Sequence, residues 1–134
     1  MRATIRPFLV GVLLIAVGSG CGPNPNQPSS ITGTWVGTVV SSTLGNVSMQ
    51  LSLTQSGSAV TGTFAQTAPG AQSSFGSTLT GTLNGSTLNM VLTFGGTCVR
   101  TWTGTWSGTI LSGTYLASGS CGNLDQGTFS VTLE

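Results

Sequence analysis

From Ile31 onward, apolar and polar residues alternate with a period of two, and short Gly-containing breaks interrupt the alternation. The pattern predicts eight strands, at about 32–41, 46–55, 58–66, 74–83, 86–94, 98–106, 109–117 and 126–133. Each places its large apolar residues on one face. The inward rows read Trp35 and Val39, then Val47, Met49, Leu51 and Leu53, then Val60 and Phe64, then Phe75, Leu79 and Leu83. They continue with Leu88, Met90, Leu92 and Phe94, then Trp102 and Trp106, then Leu111 and Tyr115, then Phe129, Val131 and Leu133. Thr and Ser fill most of the opposite faces. Ser56-Gly57, Asn84-Gly85 and Ser107-Gly108 mark tight turns, with Asn-Gly the strongest because both residues tolerate positive φ. No stretch in this region has helical period.

Eight short sequential strands with one apolar face each predict an all-β, antiparallel up-and-down barrel, with a two-sheet sandwich as the alternative. A repeated unit favours closure. Gly-Thr followed by a large apolar residue recurs at Gly33-Thr34-Trp35, Gly62-Thr63-Phe64, Gly81-Thr82-Leu83, Gly104-Thr105-Trp106, Gly113-Thr114-Tyr115 and Gly127-Thr128-Phe129. In each copy the Gly shares the inward face with the large residue two positions on. A missing side chain there lets the strand bend and makes room for a bulky neighbour. These glycines are structural; a phosphate loop would need a helix N-terminus after it.

Charge narrows the function. Of 134 residues only Arg2, Arg6, Arg100, Asp125 and Glu134 are charged, and there is no Lys or His. Nucleic acid is not expected as a partner, because neutralising phosphates takes several cations. Acid–base catalysis usually draws on His or paired carboxylates, so no enzyme activity, cofactor or metal is expected.

The first thirty residues divide into two parts. Arg2 and Arg6 precede the ten-residue apolar run Phe8–Val17, which is short for a membrane span and right for an export signal. Gly18-Ser19-Gly20-Cys21 follows and resembles the lipobox of bacterial lipoproteins, with Gly18 standing where that family usually has Leu. The resemblance implies a signal peptide over 1–20, cleavage before Cys21, and lipid modification (palmitate included) of Cys21 as the new N-terminus; the alternative is an ordinary secretory signal. Residues 21–30 contain three prolines and form an extended tether. The folded domain is 31–134. Gly22 stands where an Asp would retain a Gram-negative lipoprotein in the inner membrane. The expected location is therefore the cell envelope, lipid-anchored in the outer membrane on its periplasmic or surface side.

Three further features could carry function. Cys98 and Cys121 are expected to pair, because the compartment is oxidising. A turn at Ser107-Gly108 sets Cys98 across from about Ala117, a few residues from Cys121. Arg100 has inward parity with Trp102 and Trp106. Three placements are open for it: at the rim with its stem on a Trp and its head in water, in an ion pair with Asp125, or inside a cavity as an anchor for a carboxylate or phosphate. Trp35, Trp102, Trp106 and Tyr115 are core residues that could also line a ligand site.

Gly33-Thr34-Trp35 resembles the Gly-x-Trp opening of lipocalins, and the layout is similar to the calycin group of eight-stranded barrels. Ile31-Thr32-Gly33-Thr34-Trp35 and Thr105-Trp106-Ser107-Gly108 resemble avidin strands. Val36, Gly37 and Thr38 stand where avidins hold biotin with polar side chains, and only Ser41 keeps that pattern, so biotin is not implied. The chain as a whole is similar to bacterial lipoproteins carrying the same Gly-Thr repeats. The aromatic inward face and the one cation on it point to a small apolar or amphipathic ligand in the barrel, near Arg100 and the Trp residues. The alternative is a structural or interaction lipoprotein with a filled barrel and a protein or glycan partner.

Overall fold

The computed structural model describes residues 29–67, 75–94, 97–119, 121 and 125–134. The signal, Cys21 and most of the tether lie outside these residues, as does the side chain of Phe75. Eight strands follow in order: β1 Gly33–Ser41, β2 Gly45–Ser56, β3 Ala59–Thr67, β4 Phe75–Asn84, β5 Thr87–Phe94, β6 Cys98–Ser107, β7 Ile110–Gly119 and β8 Gln126–Leu133. Each pairs antiparallel with its sequence neighbours. β1 also pairs with β8, from Trp35 opposite Leu133 to Ser41 opposite Gly127, so the sheet closes into a barrel. That ladder excludes the sandwich.

The predicted inward rows form the core. Trp35, Trp102, Phe64, Leu88, Met90, Leu92 and Leu111 are fully buried, and Phe94 and Leu133 are partly buried at its edges. The rows hold because a period of two cannot slip by one residue without turning every apolar side chain to water.

The turns differ from expectation by one residue. Their central pairs are Gly57-Ser58, Gly85-Ser86 and Gly108-Thr109, flanked by Ser56 and Ala59, Asn84 and Thr87, and Ser107 and Ile110. In each, Gly alone has positive φ, near 60°. This is the pattern of a type II′ hairpin, with Gly at its first central position. Asn84 is consequently the last residue of β4 and not a turn centre. The shift also moves the β6–β7 register, so Cys98 faces Gly119 instead of Ala117.

Gly104 and Gly113 show what the Gly-Thr unit does. They face each other across β6 and β7. A Cβ on Gly113 would run into the Thr103 carbonyl oxygen, and one on Gly104 would come within 2.8 Å of Cζ of Phe129. The bare backbone lets the two strands curl together and seats the Phe129 ring over Gly104.

The barrel ends differ. The three Gly turns close one end, where Ile31 is buried and its carbonyl accepts the Trp35 indole N–H at 2.9 Å. The last residues of β1, β3, β5 and β7 and the first of β2, β4, β6 and β8 lie at the other end, the barrel mouth.

Candidate functional site

Three of the inward rows carry polar residues at the mouth, the end away from the Gly turns. Ser41 ends the β1 row, Gln66 the β3 row, and Arg100 stands near the start of β6. Asp125 sits just before β8. Its carbonyl accepts the Ala117 N–H at 2.8 Å, and the Cys98–Cys121 disulfide ties the preceding loop to β6. The predicted disulfide is thus present, its second cysteine four residues before Asp125.

Asp125 is 4% exposed and collects four donors. Ser41 Oγ donates to its Oδ1 at 2.8 Å and Ser42 Oγ to the same atom at 3.2 Å. Tyr115 Oη donates to Oδ2 at 2.8 Å, and Arg100 Nη2 lies 3.3 Å from that oxygen. Burial alone would raise the Asp125 pKa. The bonds from Ser41 and Tyr115, the Arg100 charge and the Ser42 bond outweigh it and hold the carboxyl below its ordinary range. Burial, joined by the bond to Asp125 and its negative charge, pushes the Tyr115 hydroxyl up to about 12 against the lowering effects of Ser41 and Arg100. The pair is therefore an ionised carboxylate with a neutral phenol.

Of the three placements open for Arg100, the structure has the ion pair. Its head is not free in water: the side chain is 16% exposed. The guanidinium carbon lies 5.0 Å from the Phe94 ring centre and 5.4 Å from that of Tyr115, so the rings that carry it are these and not a Trp. Nη1 donates to Gln66 Oε1 at 3.3 Å. Beneath, Trp102 stacks on Tyr115 at 4.6 Å and meets Phe129 at 4.9 Å and Phe64 at 5.6 Å.

The five residues singled out as candidate ligand contacts separate into two places. Arg100, Trp102 and Tyr115 come together below the mouth. Trp35 and Trp106 lie towards the Gly-turn end, their indole N–H groups bonded to the carbonyls of Ile31 and Gly108. Gln66 and Ser42 were not anticipated. Gln66 carried a readable signal, a polar residue at inward parity in the row of Val60 and Phe64. Ser42 carried none, because it acts from a loop.

The outer wall carries a second feature. A groove of about 670 Å³ crosses β6, β7 and β8, lined by Thr101, Thr103, Thr114, Leu116, Gln126 and Thr128. Gly127 forms part of its floor beside the buried Tyr115; a Cβ there would lie 2.8 Å from Tyr115 Cε1. No group of His, Cys, Asp and Glu among the described residues could hold a metal. Neither a protein-family model nor a curated protein matches this chain.

Proposed function

We propose that this protein is a non-catalytic module of the bacterial cell envelope, held by lipid on Cys21, that meets a protein or glycan partner through the outer wall of a filled barrel. The observation that carries this reading is the interior. Trp35, Phe64, Trp102, Tyr115 and Phe129 are buried inside an eight-stranded barrel, a size that side chains can fill. The groove over β6–β8 supports it too, offering Thr hydroxyls and an apolar Leu116 edge with no charge to desolvate. Asp125, with all its oxygen capacity engaged, suits a structural role better than a general base.

Two measurements test the reading. A photo-crosslinking residue at Thr114, in the groove, is expected to give a discrete envelope adduct in cells, while one at the exposed Thr61 of β3, across the barrel from β7, gives none. Equal labelling at both would count against the groove. Cys21→Ser is expected to move the protein from the membrane to the soluble fraction, and continued sedimentation with outer membrane would sink the anchor.

A second reading rests on the mouth: an amphipathic ligand whose polar end enters the Arg100 cluster. It is supported by donors there that no acceptor among the described residues meets, Arg100 Nε and Trp102 Nε1. Native mass spectrometry of the exported protein tests it, since a retained amphiphile adds mass that denaturation removes.

A further inference from the structure

The chain has three tryptophans, and their indole N–H groups are treated differently. Trp35 donates to Ile31 O at 2.9 Å and Trp106 to Gly108 O at 2.7 Å. Trp102 is fully buried, and its Nε1 meets no acceptor among the described residues. The same holds for Nε of Arg100, two positions away on the same inward row of β6. Buried donors without acceptors carry a desolvation cost, and native proteins leave few of them.

The acceptors of the cluster are already committed. Both oxygens of Asp125 are occupied, each by two donors. Gln66 Oε1 accepts from Arg100 Nη1. The site therefore has surplus donors and no spare acceptor in the carboxylate. Its charge is balanced as well, because Arg100 faces Asp125 at 3.3 Å. A carboxylate entering beside Arg100 would be repelled by Asp125, whereas a neutral oxygen would meet only donors.

We propose that the Arg100–Trp102 edge of the mouth cluster binds a small neutral molecule through a carbonyl-type oxygen, such as that of an amide. The inference deepens the second reading above by naming the chemistry of the ligand's polar end. Arg100, partly open to solvent, is the side from which the oxygen arrives. Trp102 supplies a rigid donor because its ring is held by Tyr115, Phe129 and Phe64.

The test is a nitrogen–proton NMR titration of the exported full-length protein in detergent micelles, with acetamide and acetate as probes. Acetamide is expected to shift the Trp102 indole N–H and the Arg100 Nε–H downfield with one saturable midpoint. The Trp35 and Trp106 indoles, already bonded, should stay in place. Trp102→Phe keeps an aromatic ring in the stack, removes one donor and assigns the signal. It should weaken acetamide, read at Arg100 Nε–H, about tenfold, the equivalent of one hydrogen bond. A Trp102 signal unmoved by either probe would overturn the site, as would all three indoles moving together. Movement with acetate and not acetamide would overturn the neutral class. Acetamide has no apolar body, so its failure leaves the retained-amphiphile measurement of the second reading standing on its own.

Discussion

Nη2 of Arg100 lies 3.3 Å from Oδ2 of Asp125, so the described domain's one guanidinium and its one buried carboxylate meet at the barrel mouth. Removing either partner leaves the other charge in a site made for two. Arg100→Met is expected to destabilise the fold by about 2–4 kcal/mol, somewhat below the cost of breaking a fully buried pair because Arg100 is partly exposed. The double variant Arg100→Met with Asp125→Asn should recover part of that loss. Chemical denaturation of the three variants measures both, and additive losses would mean that the two groups are uncoupled.

The same contacts set a pH profile. The folded pKa of Asp125 lies below its ordinary 3.8, so the stability it contributes is present above that value and is lost as pH falls through the folded pKa. Tyr115 has the opposite sense. Its folded pKa is raised from 10.0 to about 12, so stability declines as pH rises across that window. With no His or Lys in the chain, thermal melts should give a plateau between the two limbs. Asp125→Asn should flatten the acid limb, and Tyr115→Phe the alkaline one.

Gly113→Ala should be among the most damaging single changes in the barrel wall. Its new methyl would meet the Thr103 carbonyl oxygen and the Gly104 backbone, which cannot swing aside. A loss of about 3 kcal/mol or more, or failure to fold, is expected. Gly76→Ala is the control, since its nearest neighbour, the Phe64 carbonyl oxygen, lies at 3.5 Å. It should change stability by less than about 1 kcal/mol. Melting temperatures of the two variants side by side make the comparison.

Reducing the Cys98–Cys121 disulfide should cost about 3 kcal/mol, the loop-closure entropy for cysteines 23 residues apart. The effect should be local as well. Freed from β6, the loop that carries Asp125 should loosen, and the Ala117 amide, which donates to Asp125 O, should exchange faster with solvent. Hydrogen exchange with and without reductant reads this directly. Unchanged Ala117 protection would mean that the bridge does not hold Asp125 in place.

Much of the fold was legible because its governing signal is local. A strand's inward row is written at every second residue, and Val47, Met49, Leu51 and Leu53 could not be placed on any other face. Turn centres were less legible. Asn84-Gly85 and Gly85-Ser86 are both good turn pairs, and only the register of the paired strands selects the second.

The alternation of apolar and polar residues by itself determined eight antiparallel strands and one buried face, because each follows from neighbours in the chain. The β1–β8 seam, the distribution of the tryptophans between the two ends and the gathering of Ser41, Ser42, Gln66, Arg100, Tyr115 and Asp125 were decided only by the tertiary structure. Closure brings the first strand to the last, and so sets Ser41 within 2.8 Å of a carboxylate 84 residues away. Alternation fixes which face a side chain takes, whereas the register and curvature of the closed sheet fix which other side chains it meets.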